Sequence, residues 1–312
     1  MKLRKDLQIL LFIAILLLID IAASAQGWKR YRREAFISLG ATNFLGELGG
    51  ANDIGTNGIL DFDFPSIRPA MNLGYRYRIA QRAYLKGTYT YGILSGNDKF
   101  TWEKYRNHRN LHFRSPIHQL HSQLEFFILR EREGHKYDIQ GVKGWKNIRI
   151  STYVFIGVGA LYFNPKAQYL DPKKGDKKWY SLRQFSTEGE GLVPTRKKYS
   201  VIQPVVPIGI GFKYAFAKDW SIGIEYSLYK TFTDYLDDVS CTYFDDKYLK
   251  VKRGDKAIYF ANPHKKYYGT LNWKTTAPGQ QRGDPRDKDS YMFAFVTLYY
   301  RIAGGRFVIP LF

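Results

Sequence analysis

The chain has 312 residues, 48 Lys and Arg against 28 Asp and Glu, a net charge of +20 and a single cysteine, Cys241. One thiol excludes a disulfide-stapled scaffold and reads as incidental. The basic excess would suit nucleic acid, but the N-terminus sends the chain to another compartment.

Lys2, Arg4 and Lys5 precede an apolar run from Leu7 to Ile21, and Ala23-Ser24-Ala25 supplies an A-x-A cleavage site. This predicts a signal peptide over residues 1–25 and a mature domain over 26–312. Asp20 inside the apolar run is unusual, and an uncleaved anchor is the competing reading. Cleavage takes the net charge from +20 to +19, since three basic and two acidic residues leave. The mature chain has no second long apolar run, so its route through a membrane is a closed barrel. An aromatic content of 17% agrees with interfacial girdles of Tyr, Trp and Phe.

Period-two alternation then runs through the chain. Ala35, Ile37, Leu39 and Ala41 alternate with Glu34, Ser38, Gly40 and Thr42. Met71, Leu73, Tyr75, Tyr77 and Ile79 share one face, and Asn72, Gly74, Arg76 and Arg78 the other. After Ala80-Gln81-Arg82 the pattern resumes with Ala83, Leu85, Tyr89, Tyr91 and Ile93 opposed to Tyr84, Lys86, Thr88 and Thr90. Further strands are predicted over Ile117 to Leu129, Ile150 to Phe163, Val205 to Phe216, Trp220 to Tyr229 and Tyr291 to Ile302. Ile150 to Phe163 is apolar on both faces, which leaves its facing open. Each run approximates the roughly 10 residues a tilted strand needs to cross a bilayer.

The expectation is an all-β, eight-stranded antiparallel transmembrane outer-membrane barrel. Long and short connections alternate, which predicts long extracellular loops and periplasmic termini. In the last long loop, Tyr248 to Lys252 and Ala257 to Phe260 suggest a hairpin around Arg253-Gly254-Asp255.

A barrel of this size is filled by its own side chains. The inferred inward set, Arg76, Arg78, Lys86, His121, Glu125, Lys213 and Glu225, predicts a salt-bridge network, because an unpaired buried charge is costly. This argues against a wide diffusion pore; a polar conduit gated by the network is the minority reading. No catalytic residues are predicted. His118 and His121 point to opposite faces, and His121 and Glu125 lie about 13 Å apart along a strand. Gly157-Val158-Gly159 and Gly209-Ile210-Gly211 lack the following helix that a phosphate loop needs. No cofactor is expected.

Asp234, Asp237, Asp238, Asp245 and Asp246 read as a solvated acidic loop, with Asp234, Asp237 and Asp238 a weak calcium candidate. Lys173, Lys174, Lys177, Lys178, Arg196, Lys197 and Lys198, joined by Lys166 and Arg183, form a basic outer loop. Such a loop suits phosphates of lipopolysaccharide or anionic surface glycans. Arg130, Arg132, Lys136, Lys143, Trp145, Lys146 and Arg149 occupy a connection longer than a periplasmic turn requires. Trp among basic residues fits either a partner contact or an anchor at the bilayer interface.

Four segments carry a family resemblance. They are Phe44 to Gly50, Tyr153 to Ala167, Phe232 to Ser240, and Arg282-Gly283-Asp284-Pro285. Together they resemble the small outer-membrane barrels of Bacteroidota that include PorG, a component of the type IX secretion system. The resemblance implies a non-enzymatic scaffold anchoring periplasmic ring proteins of the PorK and PorN type. The alternative is a barrel that binds anionic glycan or lipopolysaccharide through its basic loops.

Overall fold

Alternation becomes geometry in β1 (Arg33–Leu45), β2 (Arg68–Arg78), β3 (Ala83–Asn97), β4 (His112–Leu129) and β5 (Ile150–Phe163). Two short strands follow, β6 (Lys166–Leu170) and β7 (Lys177–Ser181), then β8 (Ile202–Ala215), β9 (Trp220–Thr231) and β10 (Ser290–Ile302). This computed structural model describes residues 32–48, 64–101, 104–131, 149–170, 177–263 and 276–302. The predicted signal peptide, 1–25, lies outside them.

Eight strands form a closed antiparallel ring in the order β1-β2-β3-β4-β5-β8-β9-β10, with β10 returning to β1. Closure leaves no free strand edge, the condition for a sheet in lipid. Arg33 pairs with Ile302, so both barrel termini sit at the end that carries the tight turns. There Ala83 O accepts from the amides of Ile79 and Ala80, and Trp220 O accepts from Ala217 N–H.

The outer face is an apolar belt. Ile37, Leu39, Leu73, Leu85, Leu120, Ile156, Val158, Ile208, Phe212, Ile224 and Val296 are all exposed, an arrangement that water would penalise and hydrocarbon rewards. Trp220 and Tyr300 pack ring to ring at the turn end. His118 lies outside as well, bonded to Tyr89 Oη at 2.8 Å. The open question over β5 is resolved: Ser151, Tyr153 and Phe155 are buried and Val154, Ile156 and Val158 exposed. Those inward rings need room, and it comes from glycine. Tyr153 lies opposite Gly211 and Phe155 opposite Gly209, each ring occupying the space a Cβ would take.

At the other end the strands rise into a cap. It comprises the β6–β7 hairpin, α1 (Lys104–Arg109), α2 (Asp246–Arg253), α3 (Asp255–Ala261) and the irregular segment 182–201. Leu182, Phe185, Leu249, Ala257 and Phe260 share one apolar core with the strand-end residues Phe44, Phe113, Phe163, Tyr291 and Phe293. The hairpin expected around Arg253-Gly254-Asp255 is instead the junction of α2 and α3. Asp245 caps α2 by accepting from Tyr248 N–H, and Gly254 adopts φ +81°, which stops one helix and starts the next. The basic outer loop likewise contains a hairpin, with Lys177 and Lys178 on β7.

Candidate functional site

The lumen is bridged by charge. Glu34 on β1 accepts from Lys213 Nζ at 2.6 Å and from Arg76 Nη1 at 3.2 Å. Arg76 also contacts Glu125 through Nε at 2.9 Å and donates to Tyr299 Oη at 3.3 Å. Lys86 on β3 reaches Glu225 on β9 at 2.6 Å, and Tyr153 Oη donates to the same carboxylate oxygen at 2.9 Å. In the ring order β3 and β9 stand four strands apart, so this contact runs from wall to opposite wall. Glu34, Glu125 and Glu225 are thus balanced by Arg76, Lys86 and Lys213, all of them buried. Aromatic faces complete the packing: the Arg76 guanidinium lies 4.5 Å from the Tyr299 ring centre and 5.0 Å from that of Tyr153.

A polar column continues from this knot along β4. Alternate residues Gln119, His121, Gln123 and Glu125 face inward, and each side chain is bonded to the next. Gln119 accepts in turn from Tyr291 Oη at 2.7 Å, and the His121 ring packs edge-on against Tyr229.

Of the seven residues expected in the lumen, Arg78 is half-buried at its rim, its guanidinium over the Tyr84 ring. It sits at the turn end and donates to the carbonyls of Ala80 and Gln81, because the strand ends at Arg78 and its side chain folds over the turn. His121 is buried in the lumen but belongs to the polar column, without an ion pair among the described residues. Sequence reading missed Glu34, Tyr153 and Tyr299. Glu34 sits on the polar side of its alternation, which was the available signal. The two tyrosines belong to strands whose inner faces are as apolar as their outer ones.

A second buried polar region lies where the barrel meets the cap, and it corrects the solvated reading for Asp234, Asp237 and Asp238, while Asp245 is exposed. Asp234, Asp237 and Asp238 are all at most 1% exposed. They do not form one ligand set either. Asp238 accepts from Tyr199 Oη and Thr187 Oγ1, while both oxygens of Asp237 accept backbone N–H groups, from Leu48 and Val239. Asp234 faces Glu47, just past β1, and Asp289, just before β10. Carboxylate oxygens of these three residues lie within 4.8 Å of one another. Burial, then repulsion by Asp237 and Asp234, pushes the Glu47 carboxyl up to about 10. Burial pushes Asp234 up to about 7 and Asp289 well above the usual carboxylate range, with Asp237 and Glu47 adding to it.

Beside this group, Arg282 Nη1 donates to Glu188 Oε1 at 2.8 Å and to the Asp238 carbonyl at 2.7 Å. Arg109 is tied to Asp98 by two bonds and to the carbonyls of Glu47 and Arg282. Arg196, expected to contact outer anions, is committed to Thr242 and the Glu188 carbonyl, whereas Lys177 and Lys178 are exposed. Lys173 and Lys174 lie outside the described residues. So do Arg132, Lys136, Lys143, Trp145 and Lys146. Of that connection the described ends are Arg130, which donates to Gln81 O, and Arg149, whose carbonyl accepts from Ala215 N–H.

A closed ring of eight strands, apolar outside and charge-paired inside, defines a transmembrane β-barrel of the outer-membrane type. The chain belongs to the family described as a domain of unknown function, DUF6089, which matches residues 9–258. Among solved structures it is similar to a major outer membrane protein of Thermus thermophilus, at 10% identity and a TM-score of 0.38, covering 86% of this chain and 99% of that one. It is also similar to Neisserial surface protein A, at 6% identity and a TM-score of 0.35, covering 87% and 96%. A third is the attachment invasion locus protein Ail of Yersinia pestis, at 10% identity and a TM-score of 0.34, covering 87% and 99%. No curated protein matches the sequence.

Proposed function

We propose that the protein is a non-conducting outer-membrane anchor that serves protein secretion by holding a periplasmic assembly against the membrane. The observation that carries this reading is the Lys86–Glu225 contact at 2.6 Å between opposite walls. A lumen crossed by ion pairs offers no wide path for solute, and opening one would strand buried charges. The cap adds a second layer over the same mouth. What remains for function is surface.

In this reading the capped end is extracellular and the turn end periplasmic. The connection between Arg130 and Arg149 is the docking surface, with Arg132, Lys136, Lys143, Trp145 and Lys146 as contacts. The resemblance to Bacteroidota barrels of the type IX system supplies the partner class, ring proteins of the PorK and PorN type. Catalysis plays no part in it.

The test is a mild-detergent pull-down from native membranes, comparing the wild type with a variant whose Arg130–Arg149 segment is replaced by a tight turn. Recovery of ring proteins by the wild type alone supports the anchor. Equal recovery of ring proteins by both forms moves the docking surface elsewhere, and recovery by neither, with lipid or glycan co-purifying, sinks the secretion role.

A further inference from the structure

The trio Glu47, Asp234 and Asp289 is the one cluster among the described residues whose acidic, histidine or cysteine ligand atoms gather closely enough to hold a metal ion. Proximity alone would mean little. What distinguishes this group is its unspent oxygens. Glu47 Oε2, both carboxylate oxygens of Asp234, and Asp289 Oδ1 are buried without a hydrogen bond. Asp234 and Asp289 are each 1% exposed. Buried polar atoms are ordinarily satisfied, and charged ones cost most when they are not.

The partnered oxygens explain how the free ones are aimed. Glu47 Oε1 accepts from Asp284 N–H at 2.9 Å, and Asp289 Oδ2 accepts from Leu236 N–H at 2.8 Å. Each carboxylate is gripped on one side by backbone and left open on the other, the outer-shell orientation common to metal ligands. Among the described residues, nearby cations do not fill the gap. Arg109 spends its guanidinium on Asp98 and two carbonyls, and the Lys288 ammonium, which eases Asp234, donates to Pro285 O. The Ser240 hydroxyl also lies near Asp234, and Asp237 adds negative charge with both its oxygens engaged.

We propose that Glu47, Asp234 and Asp289 bind a hard divalent cation, calcium, which ties the start of the last long loop to the ends of β1 and β10. An all-oxygen donor set favours calcium, magnesium or manganese over zinc or copper. Burial among protein oxygens favours calcium over magnesium, which sheds its waters reluctantly. The three ligands come from segments far apart in sequence, so one ion would lock the cap onto the barrel.

The experiment uses the full chain purified in detergent, stripped with chelator and titrated calorimetrically with CaCl2 or MgCl2 at pH 8. Asp234→Asn and Asp289→Asn are compared, with unheated gel mobility reporting whether each barrel is folded. The expected result is calcium binding by the wild type, weaker magnesium binding, and a loss of roughly tenfold or more in calcium affinity in either folded variant. Calcium should also slow proteolysis of the 232–263 region in the wild type only. Absence of binding by the wild type at about 10 mM calcium, above the range of extracellular calcium modules, would overturn the proposal. Wild-type affinity in a folded Asp289→Asn protein would do the same. If the variants fail to fold, the wild-type titration and protection decide it alone.

Discussion

Arg282 and Glu188 form an ion pair at 2.8 Å with side chains 1% and 0% exposed, and the pair joins two loops of the cap 94 residues apart in sequence. Glu188 also accepts the amides of Ser240 and Cys241. One carboxylate thus fastens the 182–201 segment to the loop that follows β9.

Removing the cation from that pair should open the cap and leave the barrel. Arg282→Ala leaves Glu188 buried and uncompensated, at a cost of roughly 3–5 kcal/mol. Limited proteolysis should cut the cap loops sooner, while the barrel still migrates as a folded species on unheated gels. Unchanged protease resistance would mean that the cap core holds without the pair.

The lumen should behave as a coupled unit. Lys86→Ala strips Glu225 of its cation and should lower stability by roughly 3–5 kcal/mol, whereas Lys86→Met with Glu225→Gln should cost less than the sum of its single changes. Urea unfolding in lipid vesicles measures both. Planar-bilayer recordings of the wild type should show no stable conductance steps, and regular large steps would contradict a bridged lumen.

Gly211 makes a prediction about space. Its Cβ position is filled by the Tyr153 ring, so Gly211→Val should displace Tyr153 from Glu225 and sharply reduce the yield of folded barrel. Tyr153→Ala in the same chain should recover part of that yield, by making room at the cost of a cavity and a lost hydrogen bond. Heat-modifiable gel mobility after refolding is the readout.

The cap should weaken in alkali. Burial, then repulsion by Asp238 and Glu188, pushes the Glu190 carboxyl from 4.5 up to about 8. The folded cap therefore holds that proton more tightly than the unfolded chain does. Its contribution is full below about pH 4.5 and is lost as pH rises through about 8. Cap proteolysis should accelerate between pH 5 and pH 8.5, and Glu190→Gln should flatten the dependence.

The barrel was legible because lipid demands strict alternation. Ile37 and Leu39, or Ile222 and Ile224, announce a strand and its outward face at once. Most of the lumen charges were legible by the same parity. Tyr153 was not, because a ring seated over a glycine inside a barrel and a ring facing lipid look alike in one dimension. The cap was less legible still. Of its helices, α2 and α3 are specified by the Asp245 side chain and the backbone of Gly254, local signals that an Arg-Gly-Asp turn also fits. The trio Glu47, Asp234 and Asp289 comes from three segments that meet only when β1, β9 and β10 lie side by side, so spacing along the chain gives no hint of it. Asp237 and Asp238 lie only three and four residues beyond Asp234, yet its spatial partners are Glu47 and Asp289.

Glu34 sits near the start of the barrel, yet its partners include Lys213 on β8 and Arg301 on β10. A barrel caught midway through assembly, before those strands arrive, carries that carboxylate only partly neutralised in its interior. Ring closure supplies the missing cations together with the final strand pairing. The first strand's acid is therefore fully paired only in the completed ring, and a chain truncated before β8 would leave it short of both cations.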